Sequence, residues 1–407
     1  MTGPVLGLRA NWRQFSLLVL VNAFVGAMVG LERTVLPLIA ERDFGLASRS
    51  AALSFIATFG LVKAATNLLA GRLGDSLGRK RTLVAGWLVG LPVPIIVMFA
   101  PSWPWIIGAN VLLGINQGLT WSMTVVMKID LAGPRRRGMA MGLNEFAGYL
   151  AVAVSALTTG IIAQRFGLRP EPFYMGMAFA ALGLALSQLA VKDTTAHAIY
   201  ESTLERQIPL VTTVSIHRKK RRAIAAANHV GLVNNLNDGL AWGLFPLFFA
   251  ASGLTVQEIG VLAFIYPAMW GVFQLFTGGL SDRVGRKWLI AGGMLLQGFA
   301  LVATTLLDGF RSWLLTGTLL GIGTAMVYPT LLAVIGDVAP PGARASVVGR
   351  YRCWRDSGYV VGALMAGGIA DAFGMTAAIA GVGCLTLLSG VYAALLMPET
   401  LRDHHPA

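Results

Sequence analysis

Apolar residues run through this chain in long blocks, unlike the short periodic stripes of a water-soluble fold. Blocks long enough to cross a bilayer, at about 20 residues each, fall near 15–40, 52–70, 83–100, 105–129, 139–163, 174–191, 223–251, 259–278, 288–307, 312–335, 347–370 and 376–397. They predict an all-α membrane protein with twelve transmembrane helices in two groups of six. Between the groups lies 192–222, the one long polar stretch, which ends in Arg218-Lys219-Lys220-Arg221-Arg222. The expected organisation is a six-helix bundle over 1–191, a cytoplasmic loop over 192–222, and a second bundle with a short tail over 223–407. Arg9 and Arg13 before the first block imitate a signal peptide, but that block extends to Ile39 and further spans follow, so it reads as a retained first helix.

Composition agrees with the pattern: of 407 residues, 55% are hydrophobic and 13% charged, and mean hydropathy is +0.67. Soluble domains are about one quarter charged, so a soluble enzyme is excluded. The net charge of +13 would suggest nucleic acid in a soluble chain; here its location decides. With the N-terminus inside, the inner loops and tails hold 21 Lys and Arg and the outer loops five. The positive-inside rule therefore puts both termini in the cytoplasm of a plasma (inner) membrane protein that contacts lipids and no nucleic acid. The central basic cluster reads as a topology anchor before span seven, with a lipid-headgroup or import signal as the alternative. Cys353 and Cys384 form no disulfide framework, the five His have no ligand spacing, and no G-x-x-x-x-G-K-S/T loop or nucleophile elbow is present. No catalysis, cofactor or metal is expected.

The groups of six repeat one another. Gly71-Arg72-Leu73-Gly74-Asp75-Ser76-Leu77-Gly78-Arg79-Lys80 returns 207 residues later as Gly278-Gly279-Leu280-Ser281-Asp282-Arg283-Val284-Gly285-Arg286-Lys287. The same offset carries Leu112-Leu113-Gly114-Ile115 onto Leu319-Leu320-Gly321-Ile322, Asp130 onto Asp337, Arg137 onto Arg344 and Phe166-Gly167 onto Phe373-Gly374. Parallel repeats around a midplane cavity are a design of secondary transporters.

With the loop G-x-L-x-D-x-x-G-R-K present twice, the whole chain resembles the major facilitator superfamily (MFS). The resemblance implies a twelve-helix secondary transporter, expected as a monomer. It also implies that Asp75 and Asp282 belong to a latch closing the cytoplasmic side, with Gly71, Gly78, Arg79, Gly278, Gly285 and Arg286 completing the gating loops. A loop that only terminates helices explains the glycines but not the repeated Asp.

Residues shared by the halves serve the scaffold, whereas those that differ are free to make an asymmetric site. Aligning span one with span seven sets Glu32 opposite Ala241 and Arg33 opposite Trp242; in spans two and eight Lys63 faces Trp270. The polar pair Asn67 and Gln274 and the aromatic pair Trp121 and Tyr328 are kept. A charge inside a span costs about 2.5 to 3.5 kcal/mol on insertion scales. Arg33 and Lys63 are therefore candidate contacts for an anion, with Trp242 and Trp270 against its apolar body. For Arg33 the competing reading is an ion pair with Asp238 or Asp356. Organic-phosphate antiporters of the resembled superfamily also carry an Arg in span one and a Lys in span two, but span seven here offers Trp242 and Asp238, so the expected solute is an organic anion without commitment to phosphate.

The embedded acids Glu32, Asp238, Glu145 and Asp356 are candidate carriers of a coupling proton, with sodium as the alternative ion. Glu32 and Asp238 come first because spans one and seven line the cavity in the resembled fold. Glu145 aligns near Arg355, and the series Arg350, Arg352, Arg355, Asp356 reads as a structural charge cluster. Asp130 and Asp337 are expected to pair with Arg137 and Arg344. Asn234, Asn235, Asn237 and Asp238 before Gly239 mark either an unwound segment or interhelical hydrogen bonding, and Pro37, Pro246, Pro267 and Pro329 are expected kinks. The expected activity is ion-coupled movement of a small organic solute, anion preferred. Multidrug export is the rival, although the G-P-x-x-G-G run usual in span five of such exporters is missing around Gly148; a non-transporting receptor or scaffold ranks below it.

Overall fold

The structure, a computed structural model, describes residues 5–132, 137–205, 218–338 and 344–401. The first six spans are α1 (Trp12–Arg42), α2 (Arg49–Leu77), the pair α3 (Arg79–Gly90) and α4 (Val93–Phe99), α5 (Trp103–Ala132), α6 (Arg137–Phe166) and α7 (Glu171–Leu189). Helix α8 (Thr195–Glu205) lies in the connection. The second six are α9 (Arg218–Ala251), α10 (Val256–Val284), α11 (Arg286–Leu306), α12 (Phe310–Val338), α13 (Arg344–Phe373) and α14 (Met375–Leu396). No strand occurs among the described residues.

Counting α3 and α4 together, nine of these segments are long and apolar enough to cross a membrane. The other three spans, α5, α9 and α13, have 30, 34 and 30 residues and are diluted by Asn, Gln and charged residues. Polar residues of that kind face a bundle interior and not lipid. Outward-facing positions instead carry large apolar side chains such as Leu61, Phe99, Phe276 and Leu306.

Several expectations change. The break in a span falls at Pro92, next to Pro94, where two backbone donors are lost and α3 gives way to α4. Pro37, Pro246, Pro267 and Pro329 lie inside unbroken helices. Span seven is not unwound either: α9 is continuous, and its Asn side chains bind neighbours. Asn237 donates to Gln297 at 3.0 Å, Gln297 to Asn234 at 3.0 Å and Thr386 to Asn237 at 2.8 Å, tying α9 to α11 and α14. The connection is also shorter than 192–222, since α8 occupies part of it and the basic cluster forms the first turns of α9; 206–217 lies outside the described residues. So do Arg135, Arg136, Arg402 and the side chains of Arg137 and Arg344.

Packing repeats between the groups: α1 lies on α6 as α9 lies on α13, and α2 on α5 as α10 on α12. Glycine permits the first of these contacts, since a Cβ on Gly30 would stand 2.3 Å from the Val152 carbonyl, and one on Gly362 2.3 Å from that of Leu236. Between groups, α2 meets α13 and α6 meets α10.

The two ends of the bundle differ. Call the end bearing Gly71–Lys80 and Gly278–Lys287 the loop end. At the opposite end Gly367 touches Ser50 and Gly160 touches Gly260. There Asp371 of α13 caps α2, accepting the Arg49 N–H at 2.5 Å, the Ser50 N–H at 3.1 Å, and the hydroxyls of Ser48 at 2.9 Å and Ser50 at 2.6 Å. Contact continues to midspan, where Gly60 meets Tyr359 and Gly271 faces Leu150. Near the loop end, Gly71, Gly142, Gly278 and Gly349 of the same four helices have open space around the Cβ position. The halves thus meet at the opposite end and part toward the loops.

Candidate functional site

Where the halves part, a cavity of about 310 Å³ is lined by Lys63, Asn67, Trp121, Ser122, Glu145, Tyr149, Tyr328, Arg352 and Arg355. Lys63 stands one turn from Asn67 on α2, which puts both on one helix face. Its ammonium lies 5.4 to 5.5 Å from the ring centres of Phe59, Trp121 and Tyr359. Glu145 accepts from Trp121 Nε1 at 3.0 Å, Asn144 Nδ2 at 3.1 Å and the Tyr328 hydroxyl at 3.2 Å. The Tyr328 hydroxyl in turn accepts from Arg355 at 2.6 Å. Arg355 also pairs with Asp356 at 2.5 Å, and Asn67 donates to Asp356 at 2.8 Å. Two of these bonds, Glu145 with Tyr328 and Asn67 with Asp356, join the halves.

Arg33 lies elsewhere. A second cavity, about 320 Å³, is lined by Arg33, Ala241, Trp242, Phe245, Pro246, Phe249, Ile259, Leu262, Ala263 and Tyr266. The guanidinium stacks 4.1 Å from the Trp242 ring and 5.3 Å from Phe59, while Trp242 stacks on Tyr359. Phe59 and Tyr359 thus stand between Arg33 and Lys63. Among the described residues no carboxylate reaches Arg33 within ion-pair distance, and its Nε and the Trp242 Nε1 have no hydrogen-bond partner. The competing ion pair with Asp238 or Asp356 is therefore absent: Asp356 is held by Arg355, and Asp238 accepts from Tyr266. Arg33 is thus held by two aromatic rings, with Glu32 and Asp238 near enough to act on its charge but outside ion-pair distance.

The predicted set is divided. Lys63, Asn67, Trp121, Glu145 and Tyr328 share the first cavity, Arg33 and Trp242 the second. Trp270 is covered by Tyr149, whose ring stacks at 3.6 Å, and lines neither cavity; nor does Gln274. Glu32 and Asp238 are buried, each with one carboxylate oxygen lacking a partner.

The two loops have matching geometry. Arg79 binds Asp75 at 2.6 Å and Asp130 at 3.2 Å; Arg286 binds Asp282 at 2.7 Å and Asp337 at 3.3 Å. Asp130 and Asp337 also accept from Thr194 at 2.7 Å and Thr400 at 3.0 Å. Gly78 and Gly285 turn with φ +90° and +102°, where L side chains are strained. Beside them Asp193 accepts the Lys80 N–H at 2.8 Å, and Glu399 those of Arg286 at 3.1 Å and Lys287 at 3.2 Å. Burial pushes both carboxyls up, but the bonds they accept outweigh it and hold Asp193 and Glu399 below the usual range. Asp75 and Asp282 are exposed, 74% and 60% at the side chain, and among the described residues each forms its ion pair with its own half's Arg.

A sequence profile described as Major Facilitator Superfamily matches residues 18–227 and 229–407. The chain belongs to that superfamily. It is a secondary transporter and an integral membrane protein. MFS relatives include the multidrug resistance protein MdtG of Escherichia fergusonii, 22% identical over 94% of each chain, and the probable 4-methylmuconolactone transporter of Cupriavidus pinatubonensis, 27% identical over 56% of this chain and 57% of that one. A POT family transporter solved with 5-aminolevulinic acid shares the fold, with TM-score 0.77 and 13% identity over 95% of this chain and 97% of that one.

Within this MFS frame, Ser122, Tyr149, Arg352 and Arg355 are the first-cavity residues that sequence reasoning left out or assigned to scaffold. A signal existed for one: 207 residues beyond Glu145 stands Arg352, a reversal of charge between the repeats. Fully buried Lys128, which donates to the Leu18 carbonyl at 3.2 Å, was also passed over.

Proposed function

We propose that the chain is a proton-coupled transporter of organic monoanions with a flat apolar body. The observation that carries this is the first cavity's lining: three cations, Lys63, Arg352 and Arg355, against the single carboxylate Glu145. Lys63 and Arg352 attract the solute's anionic group. Trp121, Tyr149 and Tyr328 offer ring surface to its body. Arg355, bound to Asp356 and Tyr328, is largely committed and positions the wall.

The coupling proton belongs on Asp238 or Glu32. Asp356 is neutralised by its ion pair and Glu145 accepts three hydrogen bonds, whereas Asp238 and Glu32 are buried with a free oxygen each. Buried acids outside ion-pair distance of a cation load and release protons as access alternates. The surplus of Lys and Arg in the loops supports an inner-membrane protein with both termini in the cytoplasm. In that orientation the loop end faces the cytoplasm, and the described conformation is inward-open. The bonds of Glu145 with Tyr328 and Asn67 with Asp356 then form the pivot about which the halves rock.

Transport by purified protein in liposomes, with matched aromatic acids and amides, tests the reading. Lys63→Gln is expected to weaken the acid about ten- to a hundredfold, the loss of a charge-assisted hydrogen bond, and to spare the amide. Asp238→Asn or Glu32→Gln is expected to abolish accumulation driven by a pH gradient while leaving exchange. Equal losses for acid and amide in Lys63→Gln would sink the anion preference. A second reading, multidrug export, is favoured by the MdtG relatives aligned along 94% of the chain; preferential transport of neutral or cationic compounds would select it.

A further inference from the structure

The cavity at Arg33 has no part in the reading above, yet it has the features of a built site. Its floor is a buried guanidinium, 3% exposed, that no carboxylate reaches within ion-pair distance among the described residues, with Nε lacking a hydrogen-bond partner. Beside it a second donor, Trp242 Nε1, is equally unpartnered. The walls are Phe245, Phe249, Ile259 and Leu262. In the conformation described the space is narrow, with room for little more than water, so a solute enters as the neighbouring side chains move aside. Acids do stand nearby: Glu32 adjoins Arg33 and points to another helix face, and Asp238, one turn before Trp242, is turned to Tyr266. Neither lies within ion-pair distance of Arg33 among the described residues. Two orphaned donors facing apolar walls fit a carboxylate that carries an apolar body.

We propose that this cavity is a second solute station in series with the first. It takes the same class of monoanion, its carboxylate on Arg33 and the Trp242 N–H and its rings among Phe245, Phe249 and Leu262. The layer of Phe59 and Tyr359 separates it from Lys63, so the two stations fill independently. The chemistry of the stations differs: the first is ringed by polar and charged groups, the second is apolar except at its floor. The inference rests on the reading of the first cavity as an anion site, and its test separates the two.

Equilibrium dialysis of radiolabelled naphthoate against the purified full-length protein counts the stations. Two equivalents are expected for the wild type. Arg33→Gln should weaken one of them about ten- to a hundredfold and leave naphthamide binding unchanged. Ala263→Phe, which fills the cavity with every charge kept, should remove that same equivalent. Lys63→Gln should weaken the other. A single wild-type equivalent, lost in Lys63→Gln and untouched in Arg33→Gln, overturns the second station and leaves the transport reading standing. Loss of naphthamide together with naphthoate in Arg33→Gln overturns it as well, by making Arg33 a structural residue. If Arg33→Gln does not fold, Ala263→Phe decides: retention of both equivalents overturns the proposal, and loss of one supports it. Binding that depends on neither cation, or no binding at all, overturns both readings.

Discussion

At the loop end the two halves agree group by group; at midspan they disagree. Asp75, Arg79, Asp130 and Thr194 form one charged knot, and Asp282, Arg286, Asp337 and Thr400 form its counterpart. About three turns deeper, Lys63 stands where the second half has Trp270, and Arg33 stands where it has Trp242. The contrast separates two jobs. A frame that rocks needs equal ends on both halves, whereas a site that grips an asymmetric solute needs unlike walls.

The largest expected effect breaks the frame. Gly30→Leu and Gly362→Leu insert side chains where backbones touch; overpacking costs about 1 to 3 kcal/mol, occasionally more, and both proteins should fail to yield folded material in detergent. Equal damage in the two variants sharpens the claim of symmetry, and damage in only one breaks it.

Next comes the clamp at the opposite end. Slight burial pushes the Asp371 carboxyl up, but bonds from Ser50, Arg49 and Ser48 outweigh it and hold it down to about 2. A depressed carboxyl stabilises the closed end fully above its unfolded value of about 4, and that contribution is lost only as pH falls toward 2. Asp371→Ala should therefore shift distance distributions between labels on α2 and α13 toward an open opposite end, about tenfold or more in population. With Glu32 and Asp238 neutralised to silence the coupling proton, no such shift should appear between about pH 5 and pH 8, where the Asp371 carboxyl stays charged. An equal distribution in wild type and variant would remove Asp371 from the gate.

Asp75→Asn and Asp282→Asn should act more modestly and alike. Each is expected to change transport rate and the balance of states several-fold while solute affinity stays within about twofold, a difference under 1 kcal/mol. Unchanged rate and populations in both would end their assignment as gating residues. The smallest effect is expected at Lys128. Its buried ammonium has one carbonyl partner among the described residues, so Lys128→Met, which removes the cost of burying a charge, should leave the thermal midpoint level or raise it. A fall would show that the first half uses this cation.

What was legible in the sequence follows the same division. Repeats, span number and loop chemistry are local patterns, and each could be read from spacing alone. Span seven illustrates the limit: an Asn-rich run is compatible with unwinding or with bonding across helices, and only the presence of Gln297 and Thr386 on neighbouring helices decides it. The site was half legible. Pairing Lys63 with Trp270 pointed to the level of the first cavity, which Lys63 lines, but rotation about each helix axis is not written in spacing. Trp270 turned toward Tyr149, and Arg33 entered a different cavity from Lys63. Arg352 and Arg355 were read as a charge cluster of the helix end because nothing local says that α13 crosses α2 there.

The stacking of Arg33 on Trp242 gives the protein an optical reporter of its own. An indole's emission responds to a charge held against its ring, and a carboxylate drawn to that guanidinium would change the field the ring feels. Of the ten tryptophans, Trp242 is the one stacked on this cation among the described residues. In a variant with the other nine replaced by phenylalanine, emission from Trp242 would follow the filling and emptying of its cavity turnover by turnover, with no dye attached.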